Sequence, residues 1–453
     1  MSSRLSTAAA ASFLVLLFAS DAGAKSNETV LYDFSDQGDG RDPTGVTLDG
    51  QGNVFGTTTW GGPGTCGGSG CGEVFELVRA QSGWTFQTIH AFQGTTSDGS
   101  NPSASVVFDA QGNLYGTAAG GGTGNCGVVY ELSPQGDGTW NETILYDFKP
   151  PGSGSDGCIP ESRLVFDTAG NLYGTTYFGG GGNVEHTGCE SGCGTVFRLS
   201  PKAGGVWKET VLHVFHGMQT LDGTYPQAGV VFDSKGNLWG TTTQGGTQLE
   251  NCGGFSSCGT VFELSPAAKG KWNEILVYSF LGTPDTGWTP AAGLIIDAND
   301  NLYGPLGGPG NGAIFELSPQ AGGGVSESLI YQFAPCVQDG GCLDGADPFG
   351  GLTFDAKGNL YGTTASGGAR NTRCGGTVSE PEGCGTVYEL TPGAGGWSEK
   401  LLYRFGDGTD GGEPEPDRLV IDADGNLLGS ASDGGSPECP KGDSCGAVFA
   451  VKP

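Results

Sequence analysis

Short apolar runs alternate with polar, glycine-rich segments along most of the chain, and the fourth cycle shows this arrangement clearly. It contains four strand-like runs, which are GVVFD (229–233), NLWGTTT (237–243), GTVFELS (259–265) and EILVYSF (274–280). All are rich in Val, Phe, Tyr and Thr and are bounded by Gly, Pro, Asp or Asn, as β-strands are. No stretch after the N-terminal apolar segment has a convincing helical period. The pattern predicts an all-β protein built from four-stranded units, whose strands we name A, B, C and D in chain order.

The connection between strands A and B is nearly the same in each unit. The segment FDAQGNLYGT (108–117) recurs with small changes, and its asparagine falls at Asn53, Asn113, Asn171, Asn237, Asn301, Asn359 and Asn426. A fixed period of roughly 60 residues indicates a repeat architecture. In this connection Asp109 can accept hydrogen bonds from the turn backbone and Gly112 can adopt a left-handed conformation. One copy has Asp300 at the glycine position, and Asp tolerates that conformation better than most residues. The motif is therefore predicted to be a turn and not a site.

The ends of the chain indicate how the units are arranged. The seventh copy has strand A from Asp417, strand B from Asn426 and strand C from Gly446, but no strand D. A strand of type D, ETVLYDF (28–34), instead precedes the first strand A. A closed ring explains this division, because the N-terminal strand then completes the last sheet and no unit is left open. We predict a seven-bladed β-propeller of four-stranded antiparallel blades, with the N-terminal strand completing the last blade.

The order of these motifs resembles a known family. The copies assemble into the string DG..P...LVFD..GNLYGTT..GG.....CGTVFELSP...G.W.E..LY.F, which is similar to the GloVer repeat of the choice-of-anchor tandem repeat GloVer-containing proteins of bacteria. The resemblance covers the chain from residue 25 onward. It implies export and a propeller-like fold, with no established enzymatic activity or ligand. Family members often end in a sorting anchor, whereas this chain ends in CGAVFAVKP, so we expect release rather than attachment.

The N-terminal segment and the net charge limit the location and the partners. Residues 1–24 have an early Arg4, an apolar run from Ala8 to Ala19 and small residues before Lys25, which predicts a secretory signal peptide cleaved near Ala24. Residues 25–453 would then form the propeller, a soluble exported monomer without membrane insertion. The formal net charge of −29 disfavours nucleic acid and anionic membranes as partners. Cations, neutral sugars and basic proteins remain.

The cysteines are predicted to share one face of the propeller. Because antiparallel strands alternate in direction, the B–C and D–A loops lie at one face, which we call the cysteine face. Even numbers of cysteines in an exported chain indicate disulfides, and a metal site is disfavoured because the spacings vary and no histidine accompanies the pairs. The predicted pairs are Cys66 with Cys71, Cys126 with Cys158, Cys189 with Cys193, Cys252 with Cys258, Cys336 with Cys342, Cys374 with Cys384, and Cys439 with Cys445.

A second motif on the cysteine face, Asp-Gly-x-x-Pro in the D–A loops, supplies candidate ligand-binding residues. Its aspartates include Asp98, Asp156, Asp222, Asp344 and Asp410. Strand A is the natural inner strand, so we expect these loops near the mouth of the central channel. Each aspartate either caps its own turn or belongs to a ring of carboxylates that binds Ca²⁺ or a cationic group. No other cofactor is predicted.

Positions where one copy departs from the others are further candidates. Arg163 and Arg418 open their A strands where the other copies have Gly or Ser, so both are expected near the channel mouth, as ligand-binding residues or in salt bridges with neighbours such as Glu161 or Asp417. Trp288 is the tryptophan expected to stack on a ligand. His90 and His213 replace a tyrosine of strand D and are interpreted as packing substitutes, and no residue is assigned a catalytic role.

These observations predict a binding or scaffold module rather than an enzyme, with a glycan or protein ligand at the acidic, disulfide-rich face. The alternative is a polysaccharide hydrolase or lyase that uses carboxylates at the channel mouth, assisted by Ca²⁺. A purely structural surface-layer component is a third hypothesis. Two carboxylates that converge in a cleft would favour the enzyme, and a flat, evenly acidic mouth would favour binding.

Overall fold

The structure is a computed structural model. It describes residues 27–35, 38–150, 156–181, 189, 191–217, 221–252, 255–283, 287–290, 292–308, 310–320, 324–336, 342–368, 383–406, 410–434 and 445–453. The predicted signal peptide, residues 1–24, lies outside these residues.

Seven antiparallel sheets account for almost all regular structure, and each has the order A-B-C-D. The strands of blades 1 to 4 are Arg41–Leu48, Val54–Trp60, Glu73–Arg79 and Trp84–Ala91; Val107–Phe108, Leu114–Ala118, Val128–Pro134 and Trp140–Asp147; Val165–Phe166, Leu172–Thr176, Thr195–Pro201 and Trp207–Val214; Val231–Phe232, Leu238–Thr242, Thr260–Pro266 and Trp272–Ser279. Those of blades 5 to 7 are Ile295–Ile296, Leu302–Leu306, Ala313–Pro319 and Val325–Gln332; Thr353–Phe354, Leu360–Thr364, Thr386–Gly393 and Gly396–Arg404; Val420–Ile421, Leu427–Asp433, Ala447–Val451 and Glu28–Asp33. The fold class predicted from the sequence is confirmed.

Shorter elements connect the loops of the cysteine face. Short two-stranded ladders join a D–A loop to the following B–C loop at Gly99–Ser100 with Gly120–Gly121, Gly157–Cys158 with Phe178–Gly179, and Gly223–Thr224 with Gln244–Gly245. In the last blade, the short strand Gly412–Pro414 pairs with strand B, Leu427–Asp433. A small hairpin pairs Gln248–Cys252 with Phe255–Ser257, and Ala268–Gly270 forms a 3-10 turn. No helix in the described part of the chain is long and apolar enough to cross a bilayer.

The last blade is completed by the N-terminal strand. Glu28–Asp33 pairs antiparallel with Ala447–Val451, from Glu28 opposite Val451 to Asp33 opposite Ala447. The amide of Phe34 donates to the carbonyl of Gly446 at 3.1 Å, as Phe280 donates to Gly259 at 3.1 Å in the fourth blade. The seventh blade therefore closes with the same bond that its neighbours use.

The core is divided into seven apolar clusters, and each lies between two adjacent blades. The cluster between the last and first blades contains Phe34, Val46, Phe75 and Val448, all with no exposed surface. The phenylalanine that follows each D strand is buried in every blade, at Phe34, Phe92, Phe148, Phe215, Phe280, Phe333 and Phe405. Because a cluster of the same kind joins blade 7 to blade 1, the blades form a closed ring.

The A–B turn has the chemistry that the sequence predicts. In the second blade Asp109 Oδ1 accepts from the amides of Gln111 and Asn113 at 2.8 and 2.9 Å, and its Oδ2 accepts from Asn113 Nδ2 at 2.8 Å. Gly112 has φ of 87°, and Asp300 takes the same region with φ of 62°. The turn is a structural unit in every copy.

The disulfide predictions are confirmed wherever both partners are described. The bonded pairs are Cys66–Cys71, Cys126–Cys158, Cys189–Cys193, Cys252–Cys258 and Cys336–Cys342. Cys384 and Cys445 are also disulfide-bonded, and their predicted partners, Cys374 and Cys439, lie outside the described residues. The Cys126–Cys158 bond differs from the others because it joins a B–C loop to the following D–A loop. Several loops of this face are thus held covalently.

Candidate functional site

The inner A strands of several blades surround a cavity of about 860 Å³ in the central channel. Its lining includes Leu164, Val230, Leu294 and Leu352 and their neighbours in chain order. It also includes Thr243, which directly follows strand B of the fourth blade on the cysteine face. The volume lies within the range of small-molecule sites. The cavity is therefore the candidate binding site.

The two arginines that break the repeat both line this cavity. Arg163 is partly buried and Arg418 is exposed. Burial, followed by the positive charge of Arg418, lowers the pKa of Arg163 to about 10, against an opposing effect of Asp417. The structure thus brings together two guanidinium groups that are more than 250 positions apart in the sequence.

Neither arginine forms the salt bridge that the sequence offers as an alternative. No described carboxylate lies within ion-pair distance of Arg163 or Arg418, and the buried Nη1 of Arg163 donates no hydrogen bond to any described group. Asp417 is instead engaged elsewhere, because its Oδ2 accepts from the amide of Ser105 at 3.2 Å and its Oδ1 from the amide of Arg418 at 2.7 Å. A buried guanidinium nitrogen without an acceptor is costly, and an anionic ligand would satisfy it.

Other polar groups of the cavity are also without partners. Ser103 Oγ and Thr289 Oγ1 line it and are buried without a hydrogen bond to any described group. Glu161 and Glu415 line it as well, and burial raises the pKa of both, that of Glu415 to about 7 with a further contribution from Asp42 and Glu413. The cavity therefore combines fixed positive charge with hydroxyls and with a carboxyl that is partly protonated at neutral pH.

Glycines at the same repeat position give these side chains their room. A Cβ at Gly351 would lie 3.1 Å from the Cβ of Arg418, and one at Gly45 would lie 2.4 Å from Asp417 Oδ2. The copies with glycine at this position therefore leave space for the side chains of Asp417 and Arg418 in the seventh copy.

The aspartates of the Asp-Gly-x-x-Pro motif lie between blades, and the cavity lining does not include them. Asp156 Oδ2 accepts from Tyr146 Oη at 2.9 Å and from the amide of Lys149 at 3.0 Å, and its Oδ1 accepts from the amide of Gly157 at 2.9 Å. The other motif aspartates make related contacts, which are Asp98 with Gln93 and Gly99, Asp222 with His216 and Gly223, Asp344 with Tyr331 and Ala334, and Asp410 with Tyr403 and Gly406. Each carboxylate caps its own loop and anchors it to strand D.

A glutamate of the next blade completes these groups. Burial, together with the charge of Asp156, raises the pKa of Glu209 to about 7, and burial with the charge of Asp344 raises that of Glu399 to about 7. The sequence analysis did not single out this glutamate, although it recurs two residues after the tryptophan of strand D. Each group thus spans a blade interface.

Where histidine replaces the tyrosine, the group changes character. His90 packs edge-on against Phe92, as Tyr146 packs against Phe148, so its packing role is retained. However, His90, Asp98 and Glu142 each turn a ligand-type atom toward one point, and His213, Asp222 and Glu274 do the same. Treating these histidines only as packing substitutes misses the two carboxylates beside each.

Trp288 also lies outside the cavity lining. It is half-buried, packs against the apolar cluster between blades 4 and 5, and covers Gly308, where a Cβ would lie 2.0 Å from the indole. The predicted site residues are therefore not one set, since only Arg163 and Arg418 meet in the cavity.

Comparison with known families identifies the repeat. A family model described as the Gloeobacter/Verrucomicrobia repeat matches residues 16–187 and 182–439. No curated protein matches the chain.

Several solved structures are similar to this chain at low sequence identity. A protein from Lactobacillus plantarum is 13% identical with a TM-score of 0.48, over 86% of this chain and 89% of that one. A puromycin-hydrolyzing peptidase of Mycobacterium tuberculosis is 13% identical with a TM-score of 0.47, over 93% of this chain and 54% of that one. The PQQ-bound aldose sugar dehydrogenase from Streptomyces coelicolor is 11% identical with a TM-score of 0.41, over 77% and 93% of the two chains. Likeness at this level carries no functional conclusion.

Proposed function

The chain belongs to the Gloeobacter/Verrucomicrobia repeat family, and we propose that it is a binding module that holds a carboxylate-bearing sugar of a glycan in the channel cavity. The ligand carboxylate would lie between Arg163 and Arg418. The observation that carries the proposal is the buried Nη1 of Arg163, which has no acceptor among the described residues and lines a cavity of about 860 Å³.

The remaining lining groups suit the rest of a sugar. Ser103 Oγ and Thr289 Oγ1 can each exchange a hydrogen bond with a sugar hydroxyl, and Glu415 can donate one when it is protonated. The net charge of −29 repels long polyanions, whereas a single carboxylate in contact with two guanidinium groups is held locally. The geometry therefore favours one acidic sugar over a nucleic acid or a sulfated polymer.

Export fits this role. Disulfides such as Cys126–Cys158 are typical of proteins that fold in an oxidising compartment. We propose that the protein is released outside the cytoplasm after removal of residues 1–24, where it would meet extracellular glycans.

The test is calorimetric titration with glucuronate- and galacturonate-terminated oligosaccharides, compared with the neutral glucose and galactose analogues. We expect binding of an acidic sugar, weakened between about tenfold and a hundredfold in Arg163→Met and Arg418→Met, because a hydrogen bond to a charged group contributes about 1.5–3 kcal/mol. Arg79→Met is the matched control, since Arg79 is exposed and pairs with Asp424 at 3.5 Å outside the cavity. Equal affinity for neutral and acidic sugars, or no effect of the exposed Arg418→Met change, would refute the proposal.

A second candidate function rests on Glu415. A carboxyl with a pKa of about 7 in the same cavity as Glu161 has the protonation state of a general acid for glycoside hydrolysis. Release of reducing ends from uronic-acid glycans, lost in Glu415→Gln while binding persists, would establish catalysis. Unchanged substrate after prolonged incubation would leave binding alone.

A further inference from the structure

The outer blade interfaces contain two kinds of polar group that differ by one residue of strand D. Where that residue is tyrosine and the following loop keeps the motif aspartate, the hydroxyl reaches this aspartate directly, at 2.9 Å from Tyr32 to Asp39 and 2.8 Å from Tyr331 to Asp344. Tyr278, whose loop lacks the aspartate, donates to Glu327 instead. The imidazole of His90 or His213 is shorter than a phenol with its hydroxyl. The histidine groups therefore leave space at the point that the tyrosine hydroxyl occupies.

The distances in the histidine groups are long for hydrogen bonds. His90 Nε2 lies 3.4 Å from Asp98 Oδ1 and 3.6 Å from Glu142 Oε1, and His213 Nε2 lies 3.3 Å from Asp222 Oδ2. In each group the three ligand-type atoms lie within 4.8 Å of one another. Metal–ligand bonds of about 2.0–2.2 Å in tetrahedral geometry separate neighbouring ligand atoms by about 3.3–3.6 Å. The histidine–carboxylate distances of 3.3, 3.4 and 3.6 Å lie in this range.

Several of these atoms also lack a hydrogen bond. His213 Nε2, Glu274 Oε1 and Glu142 Oε1 are buried without a hydrogen bond to any described group. A proton on Nε2 of the histidine could form a hydrogen bond to one carboxylate but would leave the other without a donor. A cation at the common point contacts all three ligands at once, which removes the cost of buried polar atoms without a hydrogen bond.

We propose that the protein binds two divalent transition-metal ions of the Zn²⁺ class. One is held by His90, Asp98 and Glu142 and the other by His213, Asp222 and Glu274. Each site has one imidazole nitrogen and two carboxylate oxygens, a donor set that suits zinc with water at the remaining position. Calcium prefers six to eight oxygen ligands, so these sites select against it.

Each site would join neighbouring blades. His90 belongs to strand D of blade 1, Asp98 to the loop that follows it, and Glu142 to strand D of blade 2. The second site joins blades 3 and 4 in the same manner. A bound ion would therefore stabilise the ring at two interfaces, in addition to any ligand site in the channel.

The experiment uses the folded full-length protein, stripped with a chelator and titrated with ZnCl₂, with stoichiometry measured by calorimetry and native mass spectrometry. We expect two ions per chain. His90→Tyr and His213→Tyr should each remove one ion and the double variant both, and these variants should fold because other blades carry tyrosine at this position. His216→Gln is the control, because His216 contacts Asp222 through its backbone amide, which the substitution keeps, and its ring packs edge-on against His213 without belonging to the three ligand-type residues; this variant should retain two ions.

Two further measurements separate ligands from structural neighbours. Glu142→Gln and Glu274→Gln preserve side-chain shape and should each weaken one site about tenfold or more. Co²⁺ at both sites should give the visible absorption bands of tetrahedral nitrogen–oxygen coordination. Two ions in the double tyrosine variant, no Zn²⁺ binding at micromolar concentration, or equal displacement by Ca²⁺ would overturn the proposal.

Discussion

Replacing Phe34 by alanine should selectively open the blade that the N-terminal strand completes. Phe34 has no exposed surface, and its ring centroid lies 5.1 Å from that of Tyr32, 5.3 Å from Phe75 and 6.0 Å from Phe86. Truncation of a buried phenylalanine costs about 3–5 kcal/mol. Nothing covalent among the described residues holds this strand, so the loss falls on the docking of Glu28–Asp33 to the last strand.

Hydrogen exchange followed by mass spectrometry measures this docking directly. A loss of 3–5 kcal/mol from the opening free energy corresponds to exchange that is between about a hundredfold and a few thousandfold faster. We expect this increase in Glu28–Asp33 and in Ala447–Val451, whose outer neighbour is Glu28–Asp33.

Phe280→Ala is the matched control, because Phe280 is equally buried and packs against Tyr278 and Phe315 at 5.1 and 5.2 Å. It should produce a cavity of the same kind in a blade whose strands are consecutive in the chain, and the two terminal strands should keep their protection. If both variants exchange alike at the chain ends, the N-terminal strand does not close the ring in the way described.

Three further predictions concern buried groups and the covalent connections. Burial raises the pKa of Glu73 to about 8, so the folded state keeps a proton that the unfolded state loses above about 4.5; unfolding free energy should fall as pH rises from about 5 to 8, and Glu73→Gln, followed by urea denaturation, should reduce that dependence. An unchanged slope would contradict this assignment. Tyr130 and Tyr388 bury a hydroxyl that has no hydrogen-bond partner among the described residues, so Tyr388→Phe should leave stability unchanged or raise it by up to about 1–3 kcal/mol, and a clear loss would show that the hydroxyl has a partner. The Cys126–Cys158 bond closes a longer loop than Cys66–Cys71, so replacing both cysteines with serine should cost about 3–4 kcal/mol for the first pair and about 2 kcal/mol for the second; equal losses would argue against the loop-entropy explanation.

The sequence was sufficient for the fold because the repeat makes local signals reinforce one another. Asp109, Gly112 and Asn113 form a turn through contacts within five residues, so their chemistry can be inferred from the motif alone. The disulfides could be predicted because the repeat shows which loops lie at the same face of the propeller. The missing D strand at one end and the additional one at the other predicted the closure that Phe34 completes.

The site was only partly accessible, because its groups come from distant repeats. Arg163 and Arg418 stood out as departures from the pattern, yet their proximity across the channel and the absence of the expected salt bridges depend on how the ring closes. The glutamates beside His90 and His213 were missed for another reason. Glu142 and Glu274 recur in most copies and read as part of the repeat, and only the fold brings each one beside a histidine of the preceding blade.

The pairing of Glu28 with Val451 also has a consequence for the order of folding. These partners are more than 400 positions apart, whereas most other strand pairs are local hairpins that can form as soon as they are synthesised. Contacts of such long range form slowly, because the entropy of loop closure is lost before any contact is gained. Glu28–Asp33 is synthesised before the other strands of the ring but docks last, and until then Ala447–Val451 retains an exposed edge that another chain could occupy.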